Sequence, residues 1–99
     1  MKLTNREIAG ANQGLGSIFD QPLKGKVKFK AFQTKKVLEE AFKVVVDSLQ
    51  DVDDPDEQEE ILDQEQNVNL VLFTQSELED IDLSLAQLAQ LQGIIELEE

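Results

Sequence analysis

The side chains of this chain that can do chemistry are carboxylates and amines. There are twenty-one Asp and Glu and nine Lys and Arg, and there is no histidine and no cysteine. Without histidine, the usual proton carrier near neutral pH and the commonest metal ligand are missing. Without cysteine there is neither a thiolate nucleophile nor a disulfide framework. Two clusters of charge remain to be weighed. The first is a lysine row, Lys24, Lys26, Lys28 and Lys30, which alternates with Val27, Phe29 and Ala31. In a strand these lysines project from one side, about 6.5–7 Å apart. Such a row suits a phosphate, a nucleotide or an acidic partner. It equally suits the acids of the same chain, or an edge strand that uses lysine to prevent edge-to-edge pairing. There is no Tyr or Trp, and in a strand the Phe side chains lie on the other face, so a stacking platform for single-stranded nucleic acid is disfavoured.

The second cluster is the acidic run around Pro55, with Asp53, Asp54, Asp56, Glu57, Glu59 and Glu60. It does not spell a calcium loop. Counted from Asp51, such a loop wants a ligand where Pro55 stands, glycine where Asp56 stands and glutamate where Leu62 stands. The bland alternative is a solvated helix start, whose acids the helix dipole favours. Gly10, Gly14 and Gly16 are not followed by the Lys and Ser or Thr of a phosphate-binding loop. Carboxylate pairs can be drawn from twenty-one acids at will, so none is singled out as an acid–base pair. The expectation is a non-enzyme with no catalytic residue, no cofactor and no metal. The candidate surface is Lys24, Lys26, Lys28 and Lys30 together with the six acids.

The charge is split along the chain. All nine basic residues lie between Lys2 and Lys43, where the net charge is +5; from Val44 onward it is −17, and the whole carries −12. That balance disfavours non-specific binding to nucleic acid or to an anionic membrane, both of which gain affinity from Lys and Arg. The acidic half can instead be read as a DNA mimic that inhibits a host defence or nucleic-acid enzyme. The simplest meaning of the split is complementarity within the chain, or head-to-tail pairing between copies. The longest apolar runs are far short of the roughly 20 residues of a spanning helix. No apolar signal segment follows the N-terminus, so a cytoplasmic protein is expected.

The elements that must position these groups follow from the pattern. Thr4-Asn5-Arg6-Glu7 is a capping box, opening a helix with Ile8, Leu15, Ile18 and Phe19 on one face. Its three glycines each cost about 1 kcal/mol and favour close approach of another element. Asp20-Gln21-Pro22 ends it. Lys24–Phe32 reads as a strand, and 33–50 as a helix with Val37, Leu38, Ala41, Phe42, Val45 and Leu49 inward. Asp54 caps a short helix that starts at Pro55 and runs to about Glu65, anchored by Ile61 and Leu62. Asn67–Phe73 reads as a second strand, and Ser76-Glu77-Leu78-Glu79 as another capping signature. A third short strand around Leu78–Leu83 is one way to complete the sheet. The last helix, Leu83–Gln92, has Leu85, Leu88 and Leu91 or Ala89 inward and Gly93 near its end. The expected fold is a single α+β domain over residues 1–99, in the order α-β-α-(α)-β-α, with a two- or three-stranded sheet packed by helices.

Several of these stretches, in order along nearly the whole chain, resemble a family of small proteins of tailed phages of Gram-positive bacteria. They are Lys2-Leu3-Thr4-Asn5-Arg6-Glu7, the basic stretch Lys26–Lys30, Val37-Leu38-Glu39-Glu40, and Leu78–Ser84 with the leucine-rich helix after it. The family is a domain of unknown function, so no functional residue carries over. The resemblance implies a phage or prophage origin and a non-enzymatic role. A protein-interaction module follows as the expected function, in virion assembly or as an accessory factor. The leucine-rich last helix serves an oligomer or partner interface as readily as a core.

Overall fold

The computed structural model of the chain describes residues 1–18, 25–79 and 81–96. β1 (Lys2–Thr4) runs directly into α1 (Asn5–Ser17). The capping box forms as its spacing requires. Thr4 Oγ1 accepts from the Glu7 amide at 3.1 Å, and Glu7 Oε1 accepts from the Thr4 amide at 2.9 Å. Ile8, Ala11 and Leu15 of α1 are buried, as is Ile18 just beyond it. Phe19, the Asp20-Gln21-Pro22 stop and Lys24 lie outside the described residues.

α2 (Gly25–Leu49) is the longest element, and it corrects the first predicted strand. Lys26–Phe32 is helical and continuous with the helix after it. Val27 and Ala31 are four residues apart and lead into Thr34, Leu38, Ala41 and Val45 at alternating spacings of three and four. That is a helical stripe, and everything in it from Ala31 on is buried. Extending a helix already formed fixes one residue per added hydrogen bond, without a new nucleus. An isolated strand here needs a ladder partner, so the helical period overrides the local alternation. Phe29 and Phe32 are exposed as a result.

α3 (Pro55–Asp63) starts where Asp54 and Pro55 place it, with Asp54 Oδ1 accepting from the Asp56 amide at 3.1 Å. β2 (Glu65–Asn67) pairs antiparallel with β1, setting Leu3 opposite Gln66. The second predicted strand is mostly not one. Val68 still exchanges backbone hydrogen bonds with Met1, at 2.8 and 3.1 Å. The chain then runs on outside any strand to β3 (Phe73–Thr74), which pairs in parallel with β4 (Ile95–Glu96). The described residues of the segment Leu78–Leu83 add no strand. Instead α4 (Gln75–Leu78) precedes it, capped by Thr74 rather than Ser76, with Glu77 as the reciprocal partner. The strands that complete the pairs are β1 and β4.

α5 (Leu85–Leu91) ends in a single 3-10 turn, Gln92–Ile94. Here too the expectation is corrected. Leu91 is buried, but Leu85 is 85% exposed and Leu88 42% exposed. α1 packs against both α2 and α5. Its approach to α5 is close: a Cβ on Gly14 would stand 2.9 Å from the Gln90 side chain and 3.2 Å from that of Leu91. The fold is α+β: helices built around α1, with two separate two-stranded pairs holding the loops.

Candidate interaction surface

The lysine row dissolves in a helix. Successive residues turn by about 100°, so Lys26 and Lys30 share a side and Lys28 falls on another. Lys24 lies outside the described residues. Lys30 points inward: its Nζ donates to Glu77 Oε1 at 2.6 Å and stands 5.3 Å from the centre of the Phe73 ring. The same Glu77 oxygen accepts from the Thr74 amide at 2.8 Å. The Lys30 hydrogen bond first, and the Thr74 amide second, hold the Glu77 carboxyl below its ordinary value. Lys30 therefore ties α2 to the β3–α4 corner. Lys35 is also committed, donating from Nζ to the Asn12 carbonyl at 3.0 Å and to Asn12 Oδ1 at 2.8 Å. A phosphate cradle of four aligned lysines has lost its geometric basis.

What remains outward on the first half of α2 is a different surface. Phe29 is 72% and Phe32 55% exposed. They sit one turn apart, with Lys36 Nζ 5.5 Å from the centre of the Phe32 ring. Lys26 and Lys28 are exposed beside them. Among the described residues, no carboxylate is paired with Lys26, Lys28 or Lys36. The phenyl rings, expected opposite the lysines, stand among them.

The six acids of the run do not act together. Asp54 is spent on its cap. Glu59 accepts from Arg6, which also lies 3.5 Å from Asp63. The Glu59 hydrogen bond is the main cause that raises the Arg6 pKa. Asp53, Asp56, Glu57 and Glu60 are exposed. Among the described residues, no three His, Cys, Asp or Glu side chains come together to hold a metal ion.

An apolar concave feature lies elsewhere, between α4, residues 81–83 and α5. It is an open cleft of about 600 Å³, walled by Leu78, Ile81, Leu83, Leu88 and Ile95. Among the described residues its charged lining is acidic, Glu79 and Asp82, both exposed, and Asp82 is already engaged in an interaction of its own. The signal for it is in the sequence: Leu78–Leu91 holds more apolar side chains than a short capped helix can bury. One buried polar hub gave no signal at all. Asn5 Nδ2 donates to the Ile61 carbonyl at 2.6 Å, and Asn5 Oδ1 accepts from Gln66 Nε2 at 2.7 Å.

No protein-family model matches the chain, and no curated protein or solved structure matches it either. Among the described residues, no helix is long and apolar enough to cross a membrane.

Proposed function

We propose that the chain is a non-enzymatic protein-interaction module of a tailed phage or prophage. It works in the host cytoplasm, in virion assembly or as an accessory factor. Its contact surface is the cleft between α4 and α5. One observation carries this reading: of the three leucines of α5, only Leu91 enters the core, while Leu88 lines an apolar cleft and Leu85 faces solvent. Clefts of several hundred Å³ with apolar walls and a few polar groups are where proteins hold ligands and partner side chains.

Inhibition by charge mimicry through α3 is the weaker reading. A nine-residue helix is roughly 13 Å long, and duplex DNA of that length carries about eight charges. With Asp54 and Glu59 engaged internally, α3 and its start offer Asp53, Asp56, Glu57 and Glu60, too few to imitate it.

The test is affinity capture from phage-infected cells with the wild-type protein and with Leu88→Glu. A phage protein retained by the wild type and lost by the variant, with both melting at the same temperature, is the expected result. Equal capture by the two would remove the cleft from consideration.

A further inference from the structure

Two outward surfaces of this molecule are each incomplete, and each supplies what the other lacks. Among the described residues, the cleft has apolar walls and the acidic Glu79 in its lining. The first half of α2 presents Phe29 and Phe32 to solvent, surrounded by Lys26, Lys28 and Lys36. We propose that the occupant of the cleft is a second copy of this chain, which inserts the Phe29–Phe32 face of α2, so that copies associate head to tail. The proposal rests on the reading of the cleft as a contact surface and names what fills it.

Charge selects this pairing over the other two that these surfaces allow. Cleft against cleft sets Glu79 against its own copy. Patch against patch sets three lysines against three. Like charges brought together at a contact are strongly unfavourable. Only patch against cleft joins opposite signs, and in a molecule of net charge −12 it is also the orientation in which self-repulsion is locally reversed. The shapes agree as well. Two phenyl rings one turn apart on a helix are the anchors of a helix-in-groove contact, and the groove offered is open and apolar. The Lys30–Glu77 pair inside one copy shows the same match of α2 lysine to α4 acid. A contact between two different surfaces does not close on itself at two copies. It propagates into a ring or an open filament.

The experiment is sedimentation velocity over a wide concentration range, with complementation. Wild-type protein should form species larger than dimers as concentration rises. Phe29→Ser/Phe32→Ser, which keeps the cleft, and Leu88→Glu, which keeps the patch, should each weaken self-association at least about tenfold. Mixed together, the two variants should form a heterodimer that grows no further. Should Leu88→Glu fold poorly, Glu79→Lys repeats the cleft arm at an exposed position. A wild type that stays monomeric throughout overturns the proposal, as does a dimer that survives in either variant or a mixture that does not pair. Binding of a single-stranded oligonucleotide through Phe29 and Phe32, with no self-association, also overturns it and assigns the patch to nucleic acid. The broader reading fails separately. A monomeric wild type whose cleft variant loses a captured phage protein sinks only the second copy as occupant. A cleft variant that keeps both self-association and capture sinks both.

Discussion

One oxygen of Glu77 serves two donors, the Lys30 ammonium and the Thr74 amide. Both favour the charged form, and the carboxyl is held below its ordinary value of 4.5. A depressed acid contributes stability that is present above its unfolded-state pKa and lost as pH falls through the folded value. Glu77→Gln keeps the capping box, since Gln serves at that position too, but removes the charge. At pH 7 the variant should unfold more easily, by on the order of 1 kcal/mol. Denaturant melts repeated below pH 4.5 should show the gap closing, and a gap independent of pH would mean that the charge does not matter. Asn5 is the other residue on which much depends. Asn5→Ala leaves the Ile61 carbonyl and the Gln66 amide without this partner in a buried place. The expected cost is about 2–3 kcal/mol, read from urea unfolding. The caps at Thr4 and Asp54 were legible because each is written within four residues. The role of Asn5 was not, because its partners are 56 and 61 residues away and no local pattern encodes them.

At the scale of elements, the boundary between reading and misreading falls inside α2. Lys26–Ala31 alternates like a strand, and the same residues place Val27 and Ala31 on a helical stripe that continues for four more turns. Period two and period 3.6 coincide over so short a window, and what decides is whether a neighbouring element can absorb the segment. The difference carries to the candidate site: a strand puts the phenylalanines behind the lysines, while the helix sets them side by side. The close approach of another element to α1 was legible in its three glycines, although which element was not: Gly10 and Gly14 lie against Gln90 of α5, and Gly16 against Lys35 of α2. Gly14→Ala should destabilise the protein. Its Cβ would meet the Gln90 Cβ at 2.9 Å, and overpacking of that kind costs about 1–3 kcal/mol, more than the helix propensity gained. Gly16→Ala should act in the opposite sense, raising stability by about 0.5–1 kcal/mol. That site is exposed, and its Cβ would meet the end of the flexible Lys35 side chain, Nζ at 3.4 Å and Cε at 3.9 Å. Paired thermal melts of the two variants check both signs at once, and two shifts of the same sign would refute the packing argument.

Across the whole molecule, the charge split is partly spent on holding the chain to itself. Arg6 reaches the acids of α3, and Lys30 reaches Glu77, so each contact joins the basic half to the acidic half. The Arg6 pair is exposed and contributes little, as surface pairs do; the Lys30 pair is better shielded. Neither would hold the C-terminal third in place without the apolar contact of α5 with α1. That helix also touches α2, α3, β1 and the 3-10 turn, which makes α1 the element through which everything else communicates. A single cooperative unit follows, and it is open to measurement. Leu91 is 1% exposed, against α1. Leu91→Ala should cost about 2–5 kcal/mol, within the stability of an ordinary domain. In one unit, the urea midpoint falls while the slope of the transition is unchanged. The hydrogen exchange of α2 amides around Leu38, which Leu91 does not adjoin in sequence, should then speed up by the same free energy as the equilibrium loss. If those amides keep their full protection while Leu91 is truncated, residues 73–96 open independently of α1 and α2, and the chain is two units rather than one.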